Sequence, residues 1–173
     1  QNMAQSQRRG RLRLIIQGEC KQTLAGSEGH TGAVWKIAWA DPEFGENGIL
    51  ASCGYDKQVI IWSETEVSKQ QSQTKQWHKK TNFIQKDSAQ DLKFAPKHKG
   101  LMLAVAVANG TIMIYQWQDP SNLTSFNEFR EINLLTNGEC TCLSWNPAFD
   151  EPMTLVVGCL IQSQETENDQ PKL

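Results

Sequence analysis

The sequence predicts an all-β protein built from a few repeated antiparallel sheets, and three observations predict it. A phrase recurs along the chain, the runs inside each copy have the length and composition of strands, and turn residues separate those runs at hairpin spacing. The first copy reads Val34-Trp-Lys-Ile-Ala-Trp39-Ala-Asp-Pro42, then Ile49-Leu-Ala-Ser-Cys-Gly-Tyr-Asp-Lys-Gln-Val-Ile-Ile-Trp62. The second reads Asp91-Leu-Lys-Phe-Ala-Pro96, then Leu101-Met-Leu-Ala-Val-Ala-Val-Ala-Asn-Gly-Thr-Ile-Met-Ile-Tyr115. A third opens at Cys142-Leu-Ser-Trp-Asn-Pro147 and fades after Val157. Trp39 and Phe94 lie 55 residues apart, and Phe94 and Trp145 lie 51 apart. A unit of this size cannot bury a core of its own, so the units must stack.

The elements follow in order. Gly10-Arg-Leu12-Arg-Leu14-Ile15 has the form of the strand that ends at Trp62, and Met3-Ala4 sits where Leu50-Ala51 sits. The chain is therefore expected to begin inside a unit that lacks its first strand. Cys20 to Leu24 reads as the outer strand of that unit. In the first full unit, Tyr55-Asp56-Lys57 lies between two apolar runs and predicts a hairpin turn. The Gln/Ser/Lys-rich stretch 63–76 predicts a loop. In the second full unit, Asn109-Gly110 predicts the matching turn, because Gly110 adopts a positive φ without steric cost. Phe126 to Leu135 reads as a polar outer strand. The expected units are about 1–26, 27–86, 87–136, and a fourth from about 137. Residues 161–173 have the composition of a disordered loop.

Composition narrows the function classes. Of 173 residues 39% are apolar, and the net charge is −2. That suits small cores separated by polar loops, and it argues against a direct nucleic-acid face, for which a basic domain is expected. No apolar run approaches the ~20 residues of a membrane span, and no signal peptide is visible. The five cysteines show no disulfide-scaffold spacing, and most fall in apolar strand-like runs. Buried reduced thiols in an intracellular protein are the expectation. Asn122-Leu-Thr124 matches a glycosylation acceptor, a motif common by chance.

One constellation invites a catalytic interpretation. His30, Ser52 and Asp56 are the residue types of a hydrolytic triad. A nucleophile needs an exposed elbow, whereas Ser52 lies in the apolar run Leu50-Ala-Ser-Cys53. The second copy has Val105 and Asn109 at the Ser52 and Asp56 positions, and no matching histidine. A structural role fits better, since each buried polar group of such a set needs a hydrogen-bond partner. Cys140-Thr-Cys142 with His78, His98 or His30 lacks the paired Cys-x-x-Cys spacing of structural zinc. Gly45-Glu-Asn-Gly48 is not followed by the Lys-Ser/Thr of a phosphate loop. No catalytic, cofactor-binding or metal residues are expected. Trp35, Trp39, Trp62 and Trp145 are expected in the core, with Trp77 and Trp117 as the candidates for surface contact.

These phrases resemble the blades of WD40 β-propellers, in which His30, Ser52, Asp56 and Trp62 occupy the network positions. Val34–Gly45 and Leu50–Lys57 look like the second blade of Sec-thirteen-like WD-repeat proteins. Lys93-Phe-Ala-Pro-Lys-His-Lys-Gly-Leu-Met-Leu-Ala104, Asp119-Pro-Ser-Asn-Leu-Thr124 and Cys140-Thr-Cys-Leu-Ser-Trp-Asn-Pro147 together resemble the Seh-type nucleoporins of that family. The resemblance spans about residues 3–158. It implies an open six-bladed propeller, here one partial blade, two complete blades and the start of a fourth. It implies a non-enzymatic scaffold whose ring is completed by a blade from an α-solenoid nucleoporin. It also implies membership of the outer-ring Y complex at the nuclear envelope, with a lysosomal or vacuolar amino-acid-signalling complex as a second setting. The alternatives are a Sec-thirteen-like subunit of the endoplasmic-reticulum vesicle coat and a closed-ring WD peptide-binding adaptor. Leu12 and Leu14, in the blade beside the expected gap, are the candidate partner-binding residues.

Overall fold

The computed structural model describes residues 11–16, 18–45, 47–69, 72–134 and 138–161. The expectations placed on residues 1–10 and 162–173 lie outside them. Strands β1 (Leu12–Ile16) and β2 (Glu19–Leu24) form a two-stranded sheet. Strands β3 (Val34–Trp39), β4 (Ile49–Gly54), β5 (Gln58–Lys69) and β6 (Ser72–Ile84) form a four-stranded sheet in that order. A second four-stranded sheet comprises β7 (Ala89–Phe94), β8 (Met102–Val107), β9 (Thr111–Gln116) and β10 (Asn127–Asn133). A last pair is made by β11 (Gly138–Trp145) and β12 (Leu155–Ile161). Every pairing is antiparallel and joins strands adjacent in sequence.

The sheets stack face to face with β3, β7 and β11 as neighbouring inner strands, and β7 packs on both of the others. Both faces of a stacked sheet are covered, so β4 and β8 read as continuous apolar runs rather than alternating ones. Every residue of both strands is buried. Alternation then assigns side chains to seams. Val59 and Ile61 meet Leu92, Leu103, Val105 and Met113 in the central seam. Ile60 and Trp62 point the other way, onto Leu12, Leu24, Leu50 and Trp77. Ala104, Ala106, Ile112 and Ile114 meet Cys140, Leu143 and Trp145 in the third seam. Burial of each larger apolar side chain contributes about 1.5–3 kcal/mol, so the seams carry most of the stability.

Two turns show the backbone chemistry. Gly110 takes φ 81 between β8 and β9, as its lack of a side chain allows. The equivalent position between β4 and β5 is Lys57, held at φ 64 in the left-handed region. The Asp56 carboxylate accepts the Gln58 backbone N–H at 3.2 Å and closes that turn locally.

Three expectations are corrected. Residues 63–69 and 72–76 are strand rather than loop: β5 and β6 stay paired from Gln58↔Ile84 out to Lys69↔Ser72. A polar ribbon satisfies its backbone across the ladder, and β-branched Thr65, Val67 and Thr74 favour extended chain. Ile161 is not part of a disordered tail but ends β12 opposite Gly138. Only Cys53 and Cys140 are buried, while Cys20, Cys142 and Cys159 are exposed. Cys142 and Cys159 lie on a sheet with only one covered face.

Candidate partner interface and its polar network

The four residues singled out in the first full sheet meet in one chain of hydrogen bonds. His30 stands four residues before β3, Ser52 is in β4, Asp56 is in the following turn, and Trp62 is in β5. A carboxylate only accepts, so His30 Nδ1–H donates to Asp56 Oδ1 at 2.9 Å. His30 Nε2 then accepts from the Ser52 hydroxyl at 2.8 Å. Trp62 Nε1–H donates to the same Ser52 oxygen at 2.8 Å. The backbone N–H of Thr31 adds a further bond to Asp56 at 2.7 Å. Burial alone would raise the Asp56 carboxyl pKa. The His30 hydrogen bond, with the Thr31 and Gln58 N–H groups, outweighs it and holds the pKa below its ordinary 3.8. Ser52 has no exposed surface and His30 is 3% exposed, so the group binds sheet to turn and presents no nucleophile to solvent.

The second full sheet solves the same problem with other residues. Gln85 stands four residues before β7, as His30 does before β3, and Tyr115 takes the Trp62 position. Gln85 Nε2–H donates directly to Tyr115 Oη at 2.9 Å, and both are buried. Asn109 accepts the Thr111 backbone N–H at 3.1 Å, as Asp56 does from Gln58. A search for a second histidine misses this pair; the four-residue spacing before β7 is the signal that finds it.

Asp91 is another site residue that sequence patterning passed over. It is buried in β7, where Oδ1 accepts from Leu92 N at 2.9 Å and Oδ2 from Leu143 N at 2.8 Å. Lys36 Nζ of β3 lies 3.5 Å away. One carboxylate thus touches three inner strands. The signal was an acid within the strand-like run Ala89-Gln-Asp-Leu-Lys-Phe94.

Trp62 and Trp145 are buried as expected, while the other four tryptophans reverse their expected places. Trp77 is buried beneath the first half-sheet, where Gln22 of β2 clasps its backbone. The Gln22 amide donates to the Trp77 carbonyl at 2.8 Å and accepts the Trp77 N–H at 2.9 Å. Trp117 is buried too, its indole N–H donating to the Leu123 carbonyl at 3.0 Å and closing the loop after β9. Trp35 and Trp39, on β3 with Ile37, are the exposed ones, at 40% and 55%. Their face of β3 looks toward the half-sheet β1–β2, and among the described residues no inner strand lies in front of it. Tyr55 stacks edge-on to Trp35 at 5.8 Å and extends the apolar strip. Leu12 is buried with Leu24 in the seam against Leu50, Ile60 and Trp62, so it does not face a gap. The side chain of Leu14 lies outside the described residues. The exposed apolar candidates for a partner are therefore Trp35, Ile37, Trp39 and Tyr55.

Four-stranded sheets stacked about their inner strands, one locked by a His–Ser–Asp–Trp network, define a WD-repeat propeller protein. The WD domain, G-beta repeat family matches residues 18–63. Within that class the chain is a relative of the Seh-type nucleoporins. It is 40% identical to nucleoporin SEH1 of Osmerus mordax over 69% of this chain and 32% of that one. It is 39% identical to nucleoporin SEH1 of Danio rerio over 75% of this chain and 36% of that one. The chain thus spans about a third of the length of the curated relatives it matches. Among solved structures, Chaetomium thermophilum Sqt1, bound to the N-terminus of ribosomal protein L10, superposes with a TM-score of 0.55. That match has 17% identity and covers 75% of this chain and 31% of Sqt1, a likeness of fold.

Proposed function

We propose that the chain is a non-enzymatic scaffold subunit of the nuclear pore outer-ring (Y) complex. Its blades lie at about residues 1–26, 27–86, 87–136 and from 137 onward, and an α-solenoid nucleoporin donates a blade that completes the ring. The exposed Trp35–Ile37–Trp39 strip on an inner strand carries this reading, together with the SEH1 relatives. Apolar surface on an inner strand calls for another blade against it, and a strand donated in trans satisfies both the face and a sheet edge. With Leu12 buried, Trp35, Ile37 and Trp39 join Leu14 as the candidate partner-facing residues. Association with a membrane then runs through the complex, since no described helix is long and apolar enough to span one. The lysosomal setting rests on the family resemblance alone. Affinity purification of the tagged protein should recover α-solenoid nucleoporins, and imaging should show a nuclear rim. Recovery of vesicle-coat subunits alone, with signal at endoplasmic-reticulum exit sites, overturns the proposal.

A further inference from the structure

The cleft between the two full sheets holds a lysine that a backbone irregularity aims into it. The cleft has a volume of about 570 Å³ and is bordered by the base of the β5–β6 ribbon, the β3–β4 loop and the loop after β9. Side chains of β5 alternate: Ile61 lies in the central seam and Trp62 in the opposite one. Ser63 and Thr65 therefore face the cleft, and Glu64 carries its carboxylate on the Trp62 side. In β6, Lys79 pairs with Trp62 and Thr81 with Ile61, which leaves Lys80 as the extra residue of a β-bulge. A bulge re-aims the side chain it carries. Lys80 Nζ donates to Thr65 Oγ1 at 3.3 Å, on the cleft side. Lys80 is half-buried, and no carboxylate among the described residues forms an ion pair with it. Asp119, next to the Pro120 wall, is held by the Ser121 N–H at 2.9 Å and the Ser121 hydroxyl at 2.6 Å. A half-buried ammonium bonded only to a hydroxyl favours an anion as its further partner.

The same corner of the sheet has a free edge. Strand β4 begins at Ile49, opposite Ser63. One residue further on, the Glu64 N–H donates to the Asn47 carbonyl at 3.1 Å, so Glu64 turns its backbone groups to the β4 side. Backbone direction alternates along a strand, so Glu66 and Ser68 turn theirs the same way. β5 continues to Lys69, and past Ser63 it pairs with β6 alone. Among the described residues no strand stands on that edge. An unpaired edge is a template for another strand, and this one begins beside Thr65 and Lys80.

We propose that an extended acidic peptide of a partner protein docks here. Its backbone pairs with β5 at Glu66 and Ser68, in line with β4 and beyond its end. A side chain of the docked strand opposite Thr65 falls on the cleft face, so a glutamate or aspartate there reaches the Lys80 ammonium. Glu64 and Glu66 lie on the other face, so the alternate residues of the peptide are uncharged or basic. Main-chain bonds supply affinity, and the pair with Lys80 supplies selectivity. Phe44, Ile49 and Leu123 give the cleft an apolar floor for the flanking residues. Trp35, Ile37 and Trp39 do not line it, so the peptide and the donated blade occupy different surfaces.

The test uses the whole 173-residue chain and a short fluorescein-labelled peptide of alternating threonine and glutamate, read by fluorescence anisotropy. A peptide of alternating threonine and lysine is the control. The acidic peptide should bind and the basic one should not. Lys80→Gln should weaken binding about tenfold, and Lys80→Glu should abolish it. Glu66→Pro removes an edge donor that β6 does not use. It should also weaken binding, while the far-ultraviolet circular dichroism of the sheets stays unchanged. Equal binding of the two peptides, no binding of the acidic one at millimolar concentration, or full binding in either Lys80 variant overturns the proposal. Loss in the Lys80 variants with full binding in Glu66→Pro overturns the strand pairing. None of these outcomes bears on whether the protein recovers nucleoporins from cells.

Discussion

The carboxylate of Asp91 leaves its own sheet and accepts the backbone N–H of Leu143, the next inner strand round, at 2.8 Å. Its other oxygen is held by the N–H of Leu92. A buried acceptor at a seam matters because removing it strands a buried donor, at a cost of roughly 1–3 kcal/mol. Asp91→Ala should lower the free energy of unfolding by roughly 1–3 kcal/mol, read as a lower urea midpoint at an unchanged slope. Asp91→Asn keeps one acceptor oxygen and should lose less. A midpoint for Asp91→Ala equal to that of an exposed substitution such as Glu19→Ala contradicts the seam role.

Asp56 makes stability depend on acid. Its folded pKa lies below 3.8, the value for the unconstrained carboxyl. The unfolded chain therefore takes up the proton first as pH falls. The stabilising contribution is complete above 3.8 and is lost as pH drops through the depressed folded value. Thermal unfolding followed from neutral pH to pH 3 should show wild type falling more steeply than Asp56→Asn in the acid part of the range. At neutral pH the variant should already be the less stable. Parallel curves for the two proteins contradict the assignment.

The cysteines divide by environment. Burial pushes the Cys53 thiol up to about 12. Burial, with the neighbouring Cys159, raises Cys140 to about 12 as well. The thiolate is the reactive form, so both should resist alkylation near neutral pH. With iodoacetamide at pH 8, peptide mass spectrometry should find Cys20, which is exposed, labelled in the folded protein. Cys53 and Cys140 should label only in denaturant. Cys53 labelling as fast as Cys20 in the folded chain contradicts its placement in the central seam.

The strands were legible where one element suffices to define them. The runs around Ser52 and Val105 are apolar on both faces, and the turns at Lys57 and Gly110 carry their own local chemistry. The His30–Ser52–Asp56–Trp62 set was legible because its spacing belongs to a known type of blade. What depends on a neighbouring sheet was not. Trp39 and Trp145 occupy equivalent positions on equivalent strands, yet one is bare and the other covered. The difference lies in whether inner strands stand in front of them, which no property of the tryptophan encodes. Trp77 sits in a polar stretch and is buried because Gln22 and Leu24 arrive from another sheet. Leu12 faces inward for the same reason. Gln85 and Tyr115 were missed because a direct amide–phenol bond replaces four residues with two.

The clasp of Gln22 on Trp77 joins residues 55 positions apart, and Asp91 reaches Leu143 across 52. Every pairing within a sheet joins strands adjacent in sequence instead. Local pairing closes smaller loops and precedes distant contacts. During synthesis, β1 and β2 therefore emerge as a hairpin long before the strand that receives them. Until Leu50, Ile60 and Trp62 leave the ribosome, Leu12 and Leu24 have no surface on which to dock, and the Gln22 clasp must wait for Trp77. That interval is when the nascent chain most needs a chaperone, and slower translation between residues 25 and 77 should lengthen it.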